Sequence, residues 1–89
     1  MTRKLVEHIH TISTRVRGRD GTQYEARVLG ERRDDGTWAG WIEFHAQNDS
    51  GAVLATGQET SQPDRRALDY WAGGLEPIYL EGALKRAGE

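Results

Sequence analysis

Apolar and polar side chains alternate with a period of two along the first half of the chain. Between residues 12 and 44 most apolar residues stand at even positions, namely Ile12, Val16, Tyr24, Ala26, Val28, Trp38, Ile42 and Phe44, whereas Leu29, Ala39 and Trp41 stand at odd ones. Their odd-numbered neighbours are mostly polar, among them Arg15, Arg17, Glu25, Arg27, Glu43 and His45. Because successive side chains of a strand project to opposite faces, this pattern predicts an antiparallel sheet with a buried even face and an open odd face.

Turn signals divide this region into four predicted strands. The turns are Asp20-Gly21, Asp34-Asp35-Gly36 and Asn48-Asp49-Ser50-Gly51. The strands between and beside them are predicted near residues 12–18, 22–31, 37–47 and 52–60.

The even numbering of the apolar positions also determines the lengths of the two hairpin loops. Three-residue loops at 19–21 and 34–36 keep apolar residues opposite one another, and each ends in a glycine that can adopt the left-handed conformation. The first loop pairs Val16 with Tyr24, Thr14 with Ala26, and Ile12 with Val28. The second pairs Val28 with Ile42, Ala26 with Phe44, and Gly30 with Gly40. The register of the fourth strand stays open, because Val53 and Leu54 are both apolar.

After Thr60 the period changes to that of a helix. Ser61-Gln62-Pro63-Asp64 predicts a helix start with Ser61 as the cap, and Gly73-Gly74 predicts its end. A second helix is predicted over residues 76–87, with Pro77 in its first turn. Residues 1–11 fit a short helix, a strand or a loosely ordered segment. The predicted fold is therefore one α+β domain over residues 1–89: a four-stranded antiparallel meander with two C-terminal helices packed on one face.

Composition narrows the classes of protein. The 89 residues contain no cysteine, which excludes disulfides, thiol nucleophiles and cysteine zinc sites. No apolar stretch is long enough to span a membrane, and the first residues lack a signal core, so we expect a cytoplasmic protein. The net charge is −2, with Lys and Arg concentrated in residues 1–33 and Asp and Glu in residues 34–89. We interpret this asymmetry as two halves that complement each other within one fold.

The open face supplies the candidate interaction surface: Arg15, Arg17, Arg27, Leu29, Trp41 and His45. The register places Trp41 beside Leu29, and a large exposed aromatic side chain is a common interface anchor. The alternative is that Leu29, the arginine stems and the N-terminal segment cover Trp41. We predict a non-enzymatic module that binds a protein partner or a second copy of itself. Nucleic-acid binding by the same arginines and Trp41 is the alternative function, although the register places Glu25 and Glu43 among the arginines.

The remaining candidate chemistry is weak. His8, His10 and His45 are the only histidines, and a spacing of two is common by chance, so we predict no metal site and no cofactor. No Gly-x-Ser-x-Gly motif or other catalytic set occurs. The sequence therefore favours a role other than catalysis.

Three segments of the chain resemble a group of small bacterial proteins of similar length. They are Gly36-Thr37-Trp38-Ala39-Gly40-Trp41-Ile42-Glu43-Phe44, Glu59-Thr60-Ser61-Gln62-Pro63, and residues 70–84, which include Gly74-Leu75-Glu76-Pro77. The likeness covers about residues 18–87. That group is uncharacterised and no activity is known for it, so the resemblance implies no functional residue.

Overall fold

The computed structural model describes residues 5–88, which form one antiparallel sheet and two helices. The strands are β1 (Val6–Thr11), β2 (Val16–Arg17), β3 (Gln23–Arg32), β4 (Trp38–Ala46), β5 (Val53–Ala55) and β6 (Thr60–Gln62). The helices are α1 (Arg65–Gly73) and α2 (Pro77–Arg86). Strands β3 and β4 form the centre, with β1 and β2 along the free edge of β3 and with β5 and β6 along the free edge of β4. The predicted α+β class is confirmed.

The central hairpin follows the predicted register. Val28 lies opposite Ile42, Ala26 opposite Phe44, and Gly30 opposite Gly40. The two three-residue loops end in Gly21 at φ +86° and Gly36 at φ +88°, the left-handed conformation that glycine adopts without strain. From Tyr24 to Gly30 and from Gly40 to Phe44 the even residues are accordingly buried, and their odd neighbours are more accessible. The pattern breaks near the second loop, where odd Ala39 is buried and even Arg32 is exposed.

The predicted strand at residues 12–18 is wrong in part. Val16 lies opposite Tyr24 as expected, but His10 rather than Ile12 lies opposite Val28, and Thr14 is exposed instead of facing Ala26. The edge strand is broken between β1 and β2.

The cause is a bulge between His8 and His10. In an unbroken strand Ile9 and Ile12 would point to opposite faces, since they are three residues apart. The bulge adds a residue to one strand and shifts the alternation. Both isoleucines then enter the core, each 8% exposed.

The fourth predicted strand, at residues 52–60, is also divided. Leu54 lies opposite Phe44 in β5, which places Leu54 on the even face and Val53 on the odd face. Thr56 follows β5, and its hydroxyl accepts a hydrogen bond from the Ile42 amide at 3.0 Å. The chain then pairs again as β6, with Thr60 opposite Gly40.

Helix α1 packs on the even face through Leu68, which is fully buried. A Cβ atom on Gly30 would lie 2.5 Å from Leu68 Cδ2, and one on Gly40 would lie 2.6 Å from Leu68 Cδ1. The glycine pair therefore forms a seat that admits one leucine side chain. The same core cluster includes Trp38, which was predicted to be buried, and three side chains of α2: Leu80, Ala83 and Leu84.

Helix α1 begins later than predicted. Ser61 lies in β6, and Asp64 is the N-cap, with its carboxylate accepting a hydrogen bond from the Ala67 amide at 2.8 Å. The Ser61 cap is therefore wrong, because the chain still pairs with β4 at that point.

Replacing each of the two candidate cap residues in turn should show which one stabilises the start of α1. Asp64→Ala is expected to lower the free energy of unfolding by about 1 kcal/mol, because an amide of the first turn loses its acceptor. Ser61→Ala should change it by less than about 0.5 kcal/mol, and Asp64→Asn should retain most of the capping energy. Urea denaturation followed by circular dichroism measures all three, and a larger loss for Ser61→Ala than for Asp64→Ala would contradict the assignment.

Candidate functional site

The odd face of the sheet gathers most of the predicted interaction residues. Both described helices pack on the even face, and on the odd face Leu29 lies opposite Trp41, Arg27 opposite Glu43, and Glu25 opposite His45. Arg15 lies outside the strands, but its guanidinium reaches Glu25. Arg17 is exposed at the end of the sheet, opposite Gln23. Of the six predicted residues, Arg17 is thus the most peripheral.

An apolar strip crosses this face from one edge to the other. We call it the apolar diagonal, and it consists of Val6, Leu29, Trp41, Ala55 and Val53. Val6 lies opposite Glu31, diagonal to Leu29, while Ala55 and Val53 lie opposite Glu43 and His45. Both ends are exposed, with Val6 53% and Val53 48% accessible. Trp41 is half-buried, so the structure falls between the two alternatives of an open and a covered indole.

The charged side chains on one flank of the apolar diagonal are paired with one another. The Glu25 carboxylate accepts a hydrogen bond from Arg27 Nε at 2.7 Å and from Arg15 Nη1 at 3.3 Å. The hydrogen bond from Arg27 is the main reason why the pKa of Glu25 is lowered. His45 Nε2 lies 3.0 Å from Glu43 Oε1. Much of the positive charge on this flank is therefore already balanced within the sheet.

The other flank is an acidic groove beside Trp41. Its walls include Glu31, Asp34 and Asp35, together with Arg33, which donates a hydrogen bond to Gln58. Asp35 accepts hydrogen bonds from the Thr37 hydroxyl at 2.7 Å and the Thr37 amide at 2.9 Å. These bonds, that of the hydroxyl first, lower the pKa of Asp35. An indole beside ionised carboxylates favours a cationic group.

A second accessible apolar surface lies on the two helices and escaped the sequence analysis. We call it the hairpin surface, and it consists of Tyr70, Trp71, Leu75, Ile78 and Tyr79. Tyr70 is 86% exposed and Ile78 is 76% exposed. The Trp71 and Tyr79 rings meet edge to face with centroids 6.1 Å apart. The spacing is a signal for this, since Tyr70 and Ile78 each lie two residues from a buried leucine, Leu68 and Leu80, and residues two apart in a helix do not share a face.

A buried carboxylate joins α2 to the sheet beneath this surface. Glu59 immediately precedes β6, and its side chain is 9% exposed. Glu59 Oε1 accepts hydrogen bonds from the Tyr79 hydroxyl at 2.7 Å and from Arg86 Nη2 at 2.5 Å. The Arg86 guanidinium also lies 5.4 Å from the centroid of the Tyr79 ring.

The same contacts keep Glu59 ionised. Burial opposes ionisation of the carboxyl, but the hydrogen bonds from Arg86 and Tyr79 outweigh it, so the pKa of Glu59 is lowered. The pKa of Tyr79 is raised, by burial and by its bond to Glu59. A carboxylate held ionised by a cation and a phenol is a structural anchor, and this arrangement does not favour proton transfer near neutral pH.

Metal-ligating and membrane-spanning features are absent from the part of the chain that the structure describes. Within residues 5–88 no three His, Cys, Asp or Glu side chains converge as metal ligands. His8 Nε2 lies 2.7 Å from Thr11 Oγ1, and the bulge at Ile9 separates His8 from His10. Neither described helix has the length and apolar character needed to cross a bilayer.

Comparisons with known proteins supply no relative. None of the protein-family models, curated proteins or solved structures compared with the chain matches it. Any assignment of function therefore depends on the surfaces and contacts described above.

Proposed function

We propose that the protein is a non-enzymatic interaction module that binds a protein partner through the odd face of its sheet. The apolar diagonal is the observation that carries this proposal. Interfaces combine an apolar centre with a polar rim, and their anchors are enriched in tryptophan. Trp41 lies at the middle of the strip, with charged side chains on both sides of it. We place this activity in the cytoplasm.

The charges beside Trp41 specify the chemistry of the partner. The acidic groove carries Glu31, Asp34 and Asp35 next to the indole. A basic side chain that enters the groove would gain both carboxylate contacts and a cation–π contact with Trp41. We therefore propose a partner whose surface has an apolar ridge with a lysine or arginine beside it.

Charge reversal in the groove tests this proposal. Glu31→Lys is expected to weaken binding at least about tenfold, because it places like charges together in the interface. Trp41→Ser should weaken it by a similar or larger factor. Asp69→Lys is the matched control, since Asp69 is exposed on α1, which packs on the even face. It should leave affinity unchanged within about twofold.

The measurement has two stages. Proteins captured from a lysate by the unmodified chain and by the three variants are first compared, and a partner lost with Glu31→Lys and Trp41→Ser is then purified and titrated by calorimetry. Partners retained equally by all four proteins would refute the odd face as the binding surface. Circular dichroism of each variant verifies that the fold is intact.

Nucleic-acid binding through the same face stays an alternative hypothesis. The pairing of Arg15 and Arg27 with Glu25 counts against it, because a phosphate would have to compete with that carboxylate. Retention of single-stranded DNA or RNA at low salt that weakens with Arg15→Ala and falls steeply with added salt would favour this alternative. A lack of retention at low salt would eliminate it.

A further inference from the structure

We propose that the hairpin surface binds a second copy of this chain across a twofold axis. This inference does not depend on the proposed function, because the hairpin surface and the odd face lie on opposite sides of the sheet. Tyr70 and Ile78 are among the most exposed large apolar side chains that the structure describes. A contiguous apolar patch of about 300–600 Å² is often functional in a monomer.

The hairpin surface is shaped to accept a copy of itself. Two open grooves share Trp71 and Gly74 as a common wall. Tyr70 borders the first groove, and Ile78 borders the second, so each groove lies next to a protruding side chain. A twofold interface requires the same patch to be complementary to itself. A twofold axis near Trp71 meets that requirement by placing Tyr70 of each copy in the second groove of the other.

The charges at the two grooves are also complementary. Arg66 and Asp64 line the first groove, and Glu76 lines the second. The Asp64 carboxylate accepts a hydrogen bond from the Ala67 amide at the start of α1, whereas Arg66 and Glu76 take part in no ion pair among residues 5–88. Because the twofold axis brings the first groove of one copy against the second groove of the other, Arg66 faces Glu76 twice in the same interface. This charge complementarity is what commits the hairpin surface to a second copy.

The size of the patch predicts a reversible dimer. Stable complexes involve about 20–30 residues on each partner, whereas five residues make up the hairpin surface. We therefore expect a monomer–dimer equilibrium with a dissociation constant on the order of 10 µM. The dimer would leave both odd faces accessible, so it could bind two partners at once and gain avidity.

Sedimentation equilibrium of the full chain from about 1 to about 500 µM tests the proposal. Arg66→Glu and Glu76→Arg should each raise the dissociation constant at least about tenfold, and the double variant should restore it to within about threefold by re-forming both pairs in reversed order. Tyr70→Ser should abolish the dimer in this range. Glu81→Lys is the control and should dimerise like the unmodified chain.

Each outcome supports or contradicts dimerisation through the hairpin surface. A chain that stays monomeric at about 500 µM would overturn the proposal, as would a dimer that tolerates Tyr70→Ser or a double variant that stays as weak as the singles. Restoration by the double variant would support it. Trp41→Ser and Glu31→Lys should leave the dimer intact, so loss of partner binding and loss of dimerisation can be told apart.

Discussion

Leu68→Ala is expected to lower the free energy of unfolding by about 2–5 kcal/mol, because it empties a fully buried site. Leu68 has no exposed surface, and its two methyl groups point at the paired glycines of the central strands. The two central strands beneath Leu68 are paired with each other and limit how far the site can collapse, which places the expected loss toward the upper part of that range. Urea denaturation at neutral pH measures the change.

The glycine seat gives this prediction a sharper form. Gly30→Ala alone should destabilise the protein by about 1–3 kcal/mol, since its Cβ would lie 2.5 Å from Leu68 Cδ2 and overpack the site. In the Leu68→Ala background the same methyl group enters the space that the leucine left, and its closest remaining neighbour is Ile9 Cγ1 at 3.1 Å. The second substitution should then cost little or even restore stability, so the two changes should be strongly non-additive.

Gly57→Ala is the control for this comparison of Gly30→Ala and Leu68→Ala, alone and combined. Nothing lies within 4 Å of a Cβ atom built on Gly57, and its φ is outside the left-handed range. Its effect should stay within about 0.5 kcal/mol in either background. Additive losses for Gly30→Ala and Leu68→Ala would contradict the view that the glycine pair exists to seat this leucine.

The central hairpin was predictable because two independent signals agree there. Alternation fixes which face of β3 and β4 is buried, and a glycine at the end of each loop fixes the loop length. A slip of one residue would turn Val28, Ile42 and Phe44 toward solvent. Those constraints act within about 25 residues of chain, so they can be read without knowledge of the rest of the fold.

The edge strands were not predictable in the same way. An edge strand has one neighbour, so a break or bulge costs fewer ladder hydrogen bonds, and packing against the helices decides its course. Ile9 and Ile12 are both buried only because of the bulge. Ser61 has the composition of a helix cap, but pairing with β4 extends the strand to Gln62, and Asp64 takes the cap instead.

The candidate surfaces show the same contrast, because the sequence pattern predicts one of them and not the other. The odd face followed from parity, so Arg27, Leu29, Trp41 and His45 were placed together correctly. The exposure of the hairpin surface depends on how much of each helix the sheet covers, and no local sequence pattern predicts that. The anchor at Glu59 joins residues 20 and 27 positions apart in the chain. A contact of that range leaves no periodic signal, although it decides how α2 is held.

The contacts of Glu59 with Tyr79 and Arg86 lead to the second prediction of a large change in stability. Glu59→Gln is expected to lower the free energy of unfolding by about 1–3 kcal/mol near neutral pH. The amide carries no charge for Arg86, and it brings an NH₂ group into a site built from two donors. Arg86 is half exposed, so solvent screens part of its attraction. Tyr79 is less exposed than Arg86, so its hydrogen bond should account for much of the loss. Glu81→Gln, on the exposed side of α2, is the matched control and should have almost no effect.

The pH dependence identifies the charge as the cause. The pKa of Glu59 is lower in the folded protein than in the unfolded chain, so its contribution is complete above the unfolded pKa and disappears as pH falls through the folded value. Between about pH 5 and pH 3 the unmodified protein should therefore lose more stability than Glu59→Gln, and the two unfolding free energies should converge. Urea titrations at intervals across this range measure both proteins. A gap that stays constant down to about pH 3 would assign the loss to packing or hydrogen-bond geometry instead of the ionised carboxylate.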